Sequence, residues 1–182
     1  MRFTLWLAVL AGAAAMTGCA PTVAIHPLYT SQNLVNDPPL EGTWASGDGG
    51  EVWQVQKVED GYEAAPVDAK AAADGRKYAV HLLRLQTFEF LDVTSKSDPE
   101  VGVPGHLFGK IRMEGGKLYV SSINEKWLQH MIDDGFAPQS TIGEGQQIVL
   151  IAPTSELQRF IVQHAADRDA WDDDEDGLHR LH

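Results

Sequence analysis

Between Leu40 and Ile123, apolar and polar residues alternate in short runs punctuated by Gly, Pro, Asp and Asn, the pattern of half-buried β-strands. Seven runs are Leu40–Ser46, Glu51–Val58, Tyr62–Val67, Lys77–Leu85, Thr87–Val93, His106–Met113 and Lys117–Ile123, and Gln147–Ala152 makes an eighth. Gly47-Asp48-Gly49-Gly50, Asp60-Gly61, Asp74-Gly75 and Gly115-Gly116 supply turn chemistry between them, and a longer loop holds Pro99 and Pro104. Eight short strands without a βαβ rhythm predict a mainly antiparallel barrel or sandwich. Twice the period lengthens to 3.6. Trp127, Leu128, Met131 and Ile132 share one face of a helix that Asn124 caps and Gly135 ends. Leu157, Phe160, Ile161 and Ala165 do the same after Pro153, with Thr154 or Ser155 as N-cap and Glu156 near the positive end of the dipole.

The ends of the chain follow neither period. Arg2 and an apolar run from Phe3 to Ala15 have the length of a secretory h-region, too short for a mature membrane span. Small residues then lead to Cys19, the single cysteine. Met16-Thr17-Gly18-Cys19 resembles the lipobox of bacterial lipoproteins, with Met16 where leucine is usual. That resemblance implies cleavage of a signal peptide at residues 1–18 and acylation of Cys19, a palmitate-type lipid anchor. It also implies a place in the cell envelope, periplasmic or at the surface. In lipoproteins of two-membraned bacteria an aspartate after the cysteine signals inner-membrane retention, so Ala20 favours the outer membrane. Residues 19–39, ending in Asn36-Asp37-Pro38-Pro39, read as a tether that would reach about 65 Å if fully stretched. Within it, Ile25-His26-Pro27-Leu28-Tyr29 is apolar enough to pack back on the domain. The domain itself is assigned to residues 40–166. Residues 167–182, with Trp171-Asp172-Asp173-Asp174-Glu175-Asp176, read as a solvated acidic tail.

Charge and cysteine count narrow the function classes. The chain carries 14 Lys+Arg against 26 Asp+Glu, and removal of residues 1–18 would take away only Arg2. Such a surplus repels phosphate backbones and excludes nucleic acid as a natural partner. With Cys19 as lipid acceptor no intrachain disulfide is available, so the fold must rest on burial.

Gly42-Thr43-Trp44 in the first strand, eight strands and a following helix are similar to the lipocalin superfamily, whose members often carry Gly-x-Trp there. This implies an eight-stranded antiparallel lipocalin-like barrel with Trp44 closing one end. Gln147–Ala152, taken as the last strand, holds no arginine to cover that tryptophan, and the helix at Asn124–Asp134 is an insertion. Pro27-Leu28-Tyr29-Thr30, Leu40-Glu41-Gly42-Thr43-Trp44, Phe90-Leu91-Asp92-Val93 and Leu157-Gln158-Arg159-Phe160 are similar to stretches of bacterial lipoproteins of unknown function. That likeness implies no activity.

Two sets of residues carry candidate chemistry. Trp44, Trp53, Tyr78, Phe88, Phe90 and Phe108 are the candidate barrel interior, which either fills itself or leaves room for a small hydrophobic or lipidic ligand. Binding of such a ligand by a membrane-anchored envelope lipoprotein is the expected function, and the alternative is an envelope interaction or structural protein with a filled barrel and no small-molecule ligand. Asp92 and His106 flank the Pro99 loop. A hairpin centred there opposes Asp92 with His106, Leu91 with Leu107 and Phe90 with Phe108, and makes the pair a structural contact. Nothing completes it into a catalyst: the chain has no G-x-S-x-G, no His-Glu-x-x-His and no second cysteine. No enzymatic activity, cofactor or metal is therefore expected. Asp172, Asp174, Asp176 and Gly177 open an EF-hand-like pattern. His179 sits where an aliphatic residue belongs and the twelfth-position acid would fall past His182, so these residues stay with the acidic tail. His81 reads as a partly buried strand residue, and His130 and His164 as helix residues without ligand partners. Lys110 and Arg112 alternate with Ile111 and Met113, as on a solvated or partner-facing strand.

Overall fold

A computed structural model describes residues 21–37, 39–47, 50–68, 75–96, 105–143, 147–172 and 175–181. Its strands are β1 (Val23–Ala24), β2 (Gly42–Ser46), β3 (Val52–Val58), β4 (Gly61–Pro66), β5 (Tyr78–Leu85), β6 (Phe88–Ser95), β7 (His106–Glu114), β8 (Lys117–Ser122), β9 (Ser140–Ile142), β10 (Ile148–Leu150) and β11 (Leu178–Leu181). Two helices, α1 (Glu125–Asp133) and α2 (Thr154–His164), interrupt them. From β2 to β8 each strand pairs antiparallel with the next, and β11 lies between β8 and β2 to close the ring. The result is the lipocalin-like, closed, eight-stranded antiparallel barrel expected from the sequence.

Its eighth strand is not the expected one. Gln147–Ala152 does form a strand, but it lies outside the barrel. β10 pairs with β1 and β9 in a small side sheet joined to β7 through Ala24 and His106. The barrel is closed instead by residues assigned above to the acidic tail. Leu178–Leu181 pairs with Thr43–Ser46 on one side and with Lys117–Leu118 on the other. Closure removes both free edges, a gain that a four-residue run cannot signal on its own. Gly177 lets the chain in: its φ is +63°, and a Cβ there would come within 2.9 Å of the Tyr119 ring.

The helices match their periodic faces. Asn124 accepts a hydrogen bond from the Trp127 amide at 3.0 Å, and Gly135, at φ +76°, follows the helix end. The start of α2 differs from expectation. Pro153 takes the N-cap position without a side-chain bond, and the Thr154 hydroxyl donates instead to the Pro27 carbonyl at 2.7 Å.

Two apolar cores result. Inside the barrel lie Trp44, Trp53, Tyr62, Tyr78, Val80, Leu82, Leu91, Ile111, Leu118 and Val120, with Leu40 closing from below. Outside it, against one wall, Phe90, Phe108, Leu83 and Leu85 pack with Leu157, Phe160, Ile161, Trp171, Leu128 and Leu150. The second core also takes in Ala24 and Leu28, both completely buried, so the segment expected to be a tether is part of the fold. Val35 donates to the Leu82 carbonyl and Arg84 to the Asn33 carbonyl (2.9 Å each), and Gln158 donates to the Leu28 carbonyl at 2.7 Å. No helix among the described residues is long and apolar enough to cross a membrane.

Candidate functional site

Strand direction gives the barrel two unlike ends. The β3–β4, β5–β6 and β7–β8 turns lie at one end, where Leu40 and Trp44 form the floor. Trp44 is 2 % exposed, its indole Nε1 donates to the Leu40 carbonyl at 2.7 Å, and the Arg180 guanidinium sits 4.8 Å from its ring centroid. Arg180 also donates to the Pro39 carbonyl at 2.7 Å. The arginine that seemed to be missing over Trp44 is therefore present, on the strand that sequence reasoning placed in the tail. Its signal was register: Arg180 pairs directly with Trp44 once β11 is recognised as a strand.

At the other end, where β5 and β7 begin and β6 finishes, a recess of about 270 Å³ opens. Pro21, Val23, Tyr78, Val93, Ser95, Gly105 and Leu107 line it. Beneath the rim the Trp53 ring meets Tyr78 edge-on at 5.6 Å, and the Trp53 Nε1 is buried without a hydrogen-bond partner among the described residues. Burial pushes the Tyr78 hydroxyl pKa up, partly offset by the Arg76 guanidinium that hydrogen-bonds to it.

Of the six candidate interior residues, Trp44, Trp53 and Tyr78 lie inside the barrel. Phe88, Phe90 and Phe108 do not: they belong to the outer core beneath the helices. Their strand face was grouped correctly but its direction was reversed, because a strand with apolar residues on both faces carries no mark of which face is the lumen. On β6 and β7 the inward set is Leu91, Val93, Gly109 and Ile111.

Asp92 and His106 do meet, His106 Nδ1 donating to Asp92 Oδ1 at 2.7 Å. The register is two residues away from the expected one: Asp92 opposes Phe108, His106 opposes Thr94 and Phe90 opposes Lys110. A two-residue slip preserves every face, so the contact survives as a diagonal one. Apolar pairing did not set the register, because Lys110 has its own partners across the outer core. Its ammonium reaches the Ala165 carbonyl at 3.1 Å and lies 5.0 Å from the Trp171 ring. Of the two environments expected at Lys110, solvent is therefore not the one it has, since it is half-buried against the outer core, and Arg112 stacks on Tyr119 at 4.1 Å.

Asp92 is fully buried, and its second oxygen accepts the Leu28 amide at 2.7 Å. The carboxylate therefore pins the N-terminal segment to the barrel wall. Next to it Tyr29 stacks on His81 at 4.0 Å, and His106 lies edge-on to Tyr29 at 6.4 Å. His81 Nδ1 has no partner among the described residues, and burial, its largest influence, lowers the pKa of the ring below its usual 6.5. In a hydrolytic triad the carboxylate holds Nδ1 and the nucleophile addresses Nε2. Here both Asp92 and the Thr94 hydroxyl, 3.0 Å away, address Nδ1 of His106. The arrangement is a latch.

Cys19 lies outside the described residues, as do Asp173, Asp174 and His182. Asp172 is engaged by Asn124 and Ser122, and the Asp176 carbonyl accepts from Lys117 at 3.3 Å. Among the described residues no group of three or more His, Cys, Asp or Glu side chains is placed to hold a metal ion. The chain matches no protein-family model, no curated protein and no solved structure.

Proposed function

We propose that this protein is a lipid-anchored domain of the bacterial cell envelope, held through Cys19 and acting through its outer surface as a structural or protein-binding module. The lipobox-like Met16-Thr17-Gly18-Cys19 supports the anchor, and Ala20 favours the outer membrane. The observation that carries the functional half is the interior. Trp44, Trp53, Tyr62, Leu82, Leu91, Ile111 and Leu118 are each at most 8 % exposed and occupy the space a carrier would leave open. Pockets that engulf a small ligand usually run to roughly 300–1,000 Å³ and cover most of its surface. The mouth recess falls just below that range and stays open.

A second reading rests on that recess and on the unpaired Trp53 Nε1: a short apolar ligand with a hydrogen-bond acceptor, entering at Tyr78. Native mass spectrometry of the mature chain, extracted from membranes in mild detergent, separates the two readings. The expected mass is that of the acylated chain alone. A stoichiometric second lipid or metabolite would favour the carrier reading, and a chain without acyl mass would remove the anchor.

A further inference from the structure

We infer that the barrel lies mouth-down on the bilayer, with the Pro21–Val23 side of its rim against the lipid headgroups. This rests on the proposed acylation of Cys19. A lipoprotein tether normally leaves its domain free to tumble, but this chain has almost none. Pro21 is already fixed, its carbonyl accepting a hydrogen bond from Gln147 at 2.8 Å. Val23 and Ala24 pair with β10, Ala24 pairs with His106 of β7, and Ile25 donates to the Leu150 carbonyl at 3.0 Å. Farther on, Asp92 and Thr154 clamp Leu28 and Pro27. From the acylated cysteine to Pro21 the chain has two residue steps, a reach of at most about 7 Å.

Pro21 and Val23 are themselves wall residues of the mouth recess. An anchor that short therefore brings the mouth, and no other part of the barrel, to the membrane. The rim suits the position. Val67, at the mouth end of β4, is 52 % exposed, and Lys77 and Lys96, both about half exposed, pair with Glu63 at 2.7 Å each. The opposite end is sealed by Trp44 and Arg180 and turns Glu59 and Asp60 outward. The occupant of the rim is the bilayer surface. The N-terminal segment works as a strut that sets the angle of the domain.

The inference can be read with nitroxide labels on the full acylated chain in phosphatidylethanolamine–phosphatidylglycerol vesicles. Acylation consumes the native thiol, so a single introduced cysteine is labelled cleanly. Ser95→Cys reports the mouth and Glu59→Cys the opposite end. With a nickel-chelating lipid as relaxing agent, the Ser95 label should be relaxed several-fold more strongly than the Glu59 label. A Gly-Ser linker inserted between Ala20 and Pro21 should erase the contrast. Equal relaxation of the two labels without the linker, stronger relaxation at Glu59, or a contrast that survives the linker would overturn the inference. Absence of acyl mass at Cys19, seen before any label is read, would instead overturn the reading beneath it.

Discussion

Asp92 shows how one buried carboxylate can organise a fold. It satisfies an amide of the N-terminal segment and a histidine of the next strand at once, and it is fully removed from water. Asp92→Ala strands the Leu28 amide and should destabilise the domain by about 1–3 kcal/mol, the range for a buried group left unpaired. His106→Ala should cost less, since Leu28 keeps its acceptor, and the double variant less than the sum of the two. Thermal or urea unfolding of the four proteins checks this; strictly additive losses would show that the two side chains act independently. His81 sets a pH dependence. Its folded pKa lies below 6.5, so the unfolded chain takes up the proton first. Its contribution is therefore complete above about pH 6.5 and is lost as pH falls toward the folded pKa. His81→Phe should flatten the melting-temperature profile in that window. Glu63, whose pKa is lowered first by its hydrogen bonds from Lys77 and Lys96, acts separately, below its usual 4.5. The Asp92–His106 contact was legible in the sequence because both flank one loop. The Leu28 bond was not, since 64 residues separate its partners.

Among the elements, β11 is the one on which the barrel depends. Stopping the chain after Gly177 exposes unpaired edges on β2 and β8 and uncovers Trp44, so cooperative unfolding at the normal temperature should be lost. A truncated chain that melts like the full one would show the closure to be dispensable. Arg180→Ala keeps the strand but removes the cover of Trp44 and the hydrogen bond to the Pro39 carbonyl, and the exposed cation–π contact alone is worth about 0.5–1 kcal/mol. The N-terminal segment behaves likewise. A chain beginning at Leu40 would lack Leu28 and Ala24 from the outer core and should be less stable and more prone to aggregate, whereas removing a true tether would change neither. Pattern reading missed β11 altogether and caught only the apolar Ile25–Tyr29 patch of the N-terminal segment, for the same reason. Each is short, each buries only a few residues, and each takes its conformation from partners far away in sequence. Long periodic elements such as α2 carry enough apolar repeats to identify themselves.

At the scale of the whole molecule, the proposed anchor and the fold are separable. Cys19→Ser should leave an unprocessed precursor or release the domain from the lipid-anchored fraction, with the melting temperature of the folded part unchanged. A variant that is cleaved and still retained in the membrane would show that attachment does not run through Cys19. The sequence by itself determined the antiparallel β class, the positions of both helices and the faces on which the strand residues group, because each is written in local periodicity. Only the tertiary structure decided which face of β6 and β7 lines the barrel, which segment closes it, and that residues 21–35 are wall rather than tether. Those choices compare burial against one surface with burial against another, and the competing surfaces belong to residues far apart along the chain. Trp44 is the clearest case: its motif is local, but its covering Arg180 lies 136 positions away and comes into register only when the barrel closes.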